Sequence, residues 1–326
     1  MKLLTFRNVA GRERVGAQLD ETSVLDLLSA AELLDGCIPQ PFATMQDLIE
    51  AGLPALESAA RLIAKAPEDA VLAVSSVQVC APLPRPRKIR DFSCFEKHLI
   101  QAAEGAARLL AGQTNDPDGE YQRIKRDHGL GRMPSPGWYE LPVYYYSDVT
   151  TVVGPDIDVE WPPYSNWVDY EVELAAVIGR GGKDIGRDGA LQNVFGYTIF
   201  NDLSARDAQL RAMGTGMGPA KGKDFDGSNV LGPCIVTADE LDPYELTMTA
   251  RVNGAEMSRG RSSEMHWRFE DCIHYAAQSQ TIYPGEIFCS GTVGNGSAIE
   301  QARTISRGDV VEIEISGIGV LRTTIV

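Results

Sequence analysis

Apolar and polar positions alternate most plainly near the C-terminal end. Val310, Glu312 and Glu314 lie on one face there, and Val311, Ile313 and Ile315 on the other. A period of two places successive side chains on opposite faces of a strand. With Ser316-Gly317-Ile318-Gly319 as the turn and Val320 to Val326 as the return, this segment predicts a terminal β-hairpin. Leu3-Leu4-Thr5-Phe6 reads as a strand, as do Val168 to Ile178 and the stretch ending near Phe200. Leu53 to Ala66 predicts a helix with Leu56, Ala59, Ala60 and Ile63 on one face. Trp267 to Gln280 predicts another helix, followed by the turn Pro284-Gly285. A further helix is expected to begin near Asp202.

Two stretches break these patterns. Residues 113 to 140 are polar and rich in Gly, Pro and Asp, which predicts a surface excursion or lid. Ala81-Pro82-Leu83-Pro84-Arg85-Pro86-Arg87-Lys88 holds three prolines and three cations in eight residues and reads as an extended linker. That boundary predicts a small N-terminal domain, residues 1–85, and a larger domain, residues 86–326. Strand signals outnumber helix signals, and no βαβ alternation is sustained. The expected fold class is mainly β, of α+β type.

Composition narrows the function. Hydrophobic residues make up 44% and charged residues 23%, as in a globular protein. The formal net charge of −15 repels phosphate backbones and sets nucleic acid aside as a partner. It also requires a local cation wherever an acidic substrate is to bind. No apolar run approaches a membrane span, and the apolar start is broken at Arg7, too early for a secretory signal. Cys37, Cys80, Cys94, Cys234, Cys272 and Cys289 lie far apart with no Cys-x-x-Cys. They predict reduced thiols in a cytoplasmic protein rather than a zinc or disulfide framework.

Candidate chemistry begins at Val168-Asp169-Tyr170-Glu171-Val172-Glu173. In a strand Glu171 and Glu173 share a face. On spacing alone they are acids facing water. Ala175 and Val177 continue the same face and are apolar, so a second reading has the acids already inside, where two adjacent carboxylates need a cation. Helical spacing from Asp202 places Arg206 and Gln209 on its face, either as an N-cap and a solvated stripe or as site residues. The glycines from Met213 to Ser228 match neither G-x-G-x-x-G nor a P-loop and leave a loop ending in Lys221 and Lys223. Ser290 to Gly296 reads as a loose loop or as a cradle for an anionic group. His98, taken alone, reads as structural.

Taken together, these segments resemble the fumarylacetoacetate hydrolase family from about Lys88 onward. The resemblance is carried by an Asp seven residues before a His, Glu-x-Glu in a strand, Asn-Asp-x-Ser-Ala-Arg-Asp-x-Gln, Gly-Pro-x-x-Gly-Lys-x-Phe, and Pro-Gly-Glu followed by Ser-Gly-Thr. It implies a rolled mixed sheet, a homodimer, and a divalent metal held by Asp91, Glu171, Glu173 and Asp202. All-oxygen ligands imply Mg²⁺, with Ca²⁺ or Mn²⁺ as alternatives, rather than zinc. By the same resemblance His98 is the catalytic base, Glu300 its acidic partner and Lys223 a catalytic cation. Arg206, Gln209, Tyr145 and Thr292 are substrate-binding or oxyanion groups. The implied reaction is hydrolysis of a carbon–carbon bond in a β-diketone acid, fumarylacetoacetate or an acylpyruvate. The alternative is decarboxylation, isomerisation or hydration of a 2-oxo acid through an enolate, and a non-catalytic binding protein is a third reading. Ser93 stands where fumarylacetoacetase has a tyrosine, which leaves the keto-acid substrate open. His128, His266 and His274 match no catalytic position.

Overall fold

The computed structural model describes residues 1–36, 39–127, 129–130 and 133–326, so Cys37 and His128 fall outside it. Helix and strand contribute nearly equally, 33% and 30%, yet the strands carry the architecture. A twelve-stranded mixed sheet runs through the molecule. Its central order is Lys2–Arg7, Asn229–Thr237, Val194–Asp202, Val172–Ile178, Glu286–Cys289, Lys88–Phe92 and Tyr144–Ser147. A five-stranded sheet, ordered Ala255–Arg261, Thr247–Val252, Val310–Ile315, Gly319–Ile325 and Ile157–Val159, contains the predicted terminal hairpin.

Strand alternation divides the long sheet between two cores. Val172, Leu174, Ala176 and Ile178 join Met248, Ala250, Val311 and Ile313 of the smaller sheet. Ala175 and Val177, with Ile89, Phe200 and Cys289, join Leu27, Leu48, Ala59 and Leu62 from the first part of the chain. The sheet also crosses residue 85. Lys2 and Leu3 pair antiparallel with Val236 and Ile235, so residues 1–85 share both a ladder and a core with residues 86–326.

Local structure departs from the sequence patterns in three places. The helix Leu53–Lys65 buries Ala55, Ala59 and Leu62, and Leu56 and Ile63 of the expected face pack against the same core, while Ala60 is exposed, so the inward face is shifted away from Ala60 toward Ala55 and Leu62. The polar excursion contains the helix Pro117–Asp127, of which only Ile124 is buried. Asp202 is not a helix cap. It ends the strand Val194–Asp202, a two-residue strand follows at Ser204–Ala205, and the helix starts at Arg206 and runs to Met213. The hydrogen-bonded neighbour strand Asn229–Thr237 holds the chain extended through Asp202, paired with Asn229.

Candidate active site

The site lies where three central strands end. Asp91 closes the row begun by Ile89, Glu173 the row of Ala175 and Val177, and Asp202 the row of Phe200. Each acid therefore continues an apolar stripe and is carried inside by it. Asp91, Glu173 and Asp202 are almost fully buried, and each offers an oxygen within 4.8 Å of the others.

Burial raises the carboxyl pKa of Asp91 and of Glu173 well above the ordinary range, and the neighbouring carboxylates add to it. Burial also raises Asp202, against the pull of Lys223. Asp91 Oδ1 and Asp202 Oδ1 are buried without a hydrogen-bond partner. Three converging carboxylates, two of them with an unpartnered oxygen, fit a divalent cation of the magnesium or calcium type.

Glu171, the fourth implied ligand, is placed differently. Lys223 Nζ donates to Glu171 Oε2 and to Asp202 Oδ2, both at 2.5 Å, and Arg206 Nη1 donates to Glu171 Oε1 at 2.7 Å. Burial opposes its charge, but Arg206 and Lys223 outweigh burial and hold the Glu171 carboxyl far below the usual range. Glu171 lines the pocket at the edge of the trio, as an ionised acid already matched by cations.

Two residues expected to touch substrate, Arg206 and Thr292, hydrogen-bond to the buried acids. Arg206 is 3% exposed and does not line the pocket. Its Nε and Nη2 donate to Asp169 Oδ2 at 3.0 and 2.8 Å, and its remaining arm reaches Glu171 and Gln209. The Ser-Gly-Thr cradle is already filled by a protein carboxylate, since Gly291 N–H and the Thr292 hydroxyl donate to Glu173 at 3.1 and 3.3 Å. Thr292 still reaches the pocket wall. Gln209 lines the pocket too. Its oxygen accepts from Arg206, which leaves the amide NH₂ to offer. Tyr145 pairs across the strands with Asp91 and donates to Asp202 Oδ2 at 2.5 Å. Burial and the carboxylates of Asp202 and Asp91 push its phenol pKa well up, so it stays a donor.

His98 sits in the first turn of the helix Glu96–Ala111 and faces the same pocket. Its Nδ1 is 3.2 Å from Glu300 Oε1, within reach but not aligned as a hydrogen bond. Its Nε2 is 3.8 Å from Glu171 Oε1. Glu300 is held by the N–H groups of Asn295 and Ser297 and by the Ser297 hydroxyl, at 3.0, 2.7 and 3.0 Å. The pocket is a cavity of about 240 Å³ whose remaining walls include Phe92, Phe95, Leu99, Val143 and Met213. Ser93 lines it where the larger phenol was expected to be missing. His266 packs against Trp138 and His274 bonds the Ile185 carbonyl, both away from the pocket.

Sequence reasoning missed Asp169. It is fully buried, and it accepts from Arg206, Tyr170 N–H, Ala298 N–H and Ile299 N–H. The signal was available, since residues 169, 171 and 173 alternate on one face.

The family model described as fumarylacetoacetate (FAA) hydrolase C-terminal matches residues 119–326. A mitochondrial oxaloacetate tautomerase of Homo sapiens is 38% identical over 187 residues, which cover 57% of this chain and 59% of that protein. The chain thus matches less than two thirds of that relative's length. A mitochondrial oxaloacetate tautomerase of Xenopus laevis is 29% identical across 100% of this chain and 90% of its own length. Among solved structures, a fumarylacetoacetate hydrolase from psychrophilic Exiguobacterium antarcticum superposes with a TM-score of 0.74 at 24% identity, covering 100% of this chain and 99% of that one, which establishes the shared fold.

Proposed function

This chain belongs to the fumarylacetoacetate hydrolase family, and from that premise we propose that it hydrolyses a carbon–carbon bond in a 2-oxo acid bearing a 1,3-dicarbonyl unit. The observation that carries this reading is His98, placed between the fixed carboxylate Glu300 and the acidic end of the pocket. Asp91, Glu173 and Asp202 would hold a divalent cation, Mg²⁺ first, with Glu171 at their edge. When bound, that cation supplies Lewis-acid polarisation of the substrate's carbonyl oxygens.

The protein's own groups account for the rest. The Glu300 carboxylate, 3.2 Å from Nδ1, would accept Nδ1–H once the two align, and so favours the tautomer in which Nε2 is the acceptor. Nε2 takes a proton from water, and the hydroxide adds to one carbonyl carbon. The Gln209 amide NH₂ is the donor that faces the developing oxyanion, and the Lys223 ammonium, turned to Glu171 and Asp202, adds positive charge beside it. Collapse of the adduct breaks the carbon–carbon bond. The electron pair leaves on the neighbouring carbon, which regains the proton held by His98.

Keto–enol tautomerisation of a 2-oxo dicarboxylic acid is a second reading, favoured by the tautomerases among the relatives. There His98 would take a carbon-bound proton and return it at oxygen. Turnover of acetylpyruvate and oxaloacetate with Mg²⁺ in ¹⁸O-labelled water separates the two. Label in a newly released carboxylic acid supports hydrolysis. Enol–keto interconversion without cleavage or label overturns it in favour of tautomerisation.

A further inference from the structure

We propose that Gln101 and Gly105 are positioning residues that set where His98 stands against Glu300. This rests on the reading of His98 as a general base.

The two members of the pair belong to different bodies. Glu300 belongs to the loop 295–301 and is fixed there by Asn295 and Ser297. Asp169 ties the same loop to the sheet through the N–H groups of Ala298 and Ile299. His98 rides on the helix Glu96–Ala111. How the helix docks on the loop therefore decides the distance between imidazole and carboxylate.

His98, Gln101 and Gly105 occupy positions i, i+3 and i+7 of that helix, which puts them on one face. Each level of the face meets the loop. His98 meets Glu300. One turn on, Gln101 closes a two-way clamp on Asn295: its NH₂ donates to Asn295 Oδ1 at 2.7 Å, and its oxygen accepts from Asn295 N–H at 3.0 Å. That N–H is shared with Glu300 Oε1, so Gln101 touches the group that aims the carboxylate. Two turns on, Gly105 lies flat against the Ile299 carbonyl, one residue before Glu300, and a Cβ on Gly105 would overlap that carbonyl oxygen. Ala106 packs with Ile299 and Trp167 beside it.

The glycine is thus required for close approach and not for its backbone angles, since it sits mid-helix. The obstructing atom is a main-chain oxygen, itself accepting from Ala302 N–H, in a loop that Asp169 ties down through the N–H groups of Ala298 and Ile299, so it cannot yield as a side chain would. An added methyl lifts the helix at the Gly105 level and carries His98 away from Glu300. A misplacement of about 1 Å in a reacting geometry lowers rates by about 10²-fold.

The test measures kcat, KM and melting temperature for Gly105→Ala, Gln101→Met and His98→Ala, and for each of the first two combined with His98→Ala. It uses the full chain, Mg²⁺, and whichever of acetylpyruvate and oxaloacetate the wild type turns over. The expected result is a kcat about 10²-fold lower for Gly105→Ala with KM nearly unchanged, and a smaller loss in the same direction for Gln101→Met. Neither change should lower the residual rate of His98→Ala further, because a displaced base and a missing base are the same defect. Gln101→Met is close in volume at a half-buried position and keeps the proposal testable if Gly105→Ala does not fold. Wild-type kcat in Gln101→Met overturns the proposal. So does an equal further loss in the His98→Ala background, which would mark a general effect on the fold. Wild-type activity in His98→Ala alone would remove the general-base reading, and the proposal with it.

Discussion

Lys223 and Arg206 grip Glu171 from two sides, and the ionisation of the pocket turns on that grip. His98, by contrast, binds no cation in this scheme. His98→Ala is expected to lower kcat by roughly 10²–10⁴-fold while Mg²⁺ affinity, read by calorimetric titration, stays nearly unchanged. Glu300→Gln should lower the rate less, and the double variant no more than His98→Ala, because the two residues act as one unit. A pH dependence follows from Asp91 and Glu173, whose carboxyl pKa values are raised by burial and by neighbouring acids. A raised folded pKa means that the cation-free fold binds protons more tightly than the unfolded chain does. The stability this gives is fully present below the unfolded carboxyl range of about 4 and is lost as pH rises through the raised values. Cation binding needs those carboxyls deprotonated. The gain in melting temperature on adding Mg²⁺ to EDTA-treated protein should therefore grow with pH across that window, and a flat gain would refute the ligand assignment. Glu171 and Glu173 were legible in sequence because they continue an alternating apolar strand, whereas Asp91 entered only with the family resemblance and Asp202 read as the start of a helix. The inward partners of Arg206 and Thr292 were not legible, because spacing places a side chain on a face but does not say which acid already waits there.

At the scale of elements, the turn after Glu286–Cys289 does most to shape the site. Gly291 has φ +73°, and a Cβ there would overlap the Phe92 carbonyl oxygen, next to Asp91. Its N–H in turn holds Glu173. Gly291→Ala should destabilise the fold by about 1–2 kcal/mol or more from the left-handed backbone alone and weaken Mg²⁺ binding. Thr292→Val removes one hydrogen bond, about 1 kcal/mol, and should do less. Urea unfolding and calorimetric titration check both. Strands and the terminal hairpin were readable from period-two alternation. The helix Pro117–Asp127 was not, since it is polar almost all round and leaves no apolar stripe to detect. The strand through Asp202 outlasted its own apolar run because the neighbour Asn229–Thr237 keeps it paired, a contact remote in sequence.

At the scale of the molecule, we propose a homodimer, on the family resemblance. Light scattering at micromolar concentration should give twice the chain mass, and a monomer alone refutes it. Among the described residues no helix is long and apolar enough to cross a membrane. The expected division at residue 85 meets its test in a chain that begins at Pro86. In the whole molecule the strand Lys2–Arg7 lies against Asn229–Thr237, and the helices behind it cover Ala175, Val177 and Ile235. A chain without residues 1–85 would present that strand's unpaired N–H and C=O groups beside a bare apolar face, the arrangement that templates strand addition between molecules. Such a shortened protein is expected to precipitate or form β-rich aggregates on expression, and a soluble, cooperatively melting product would contradict this. The first eighty-five residues thereby cover an edge that would otherwise invite strand addition, and a chain cut at Pro86 is expected to lose that cover along with the sequence.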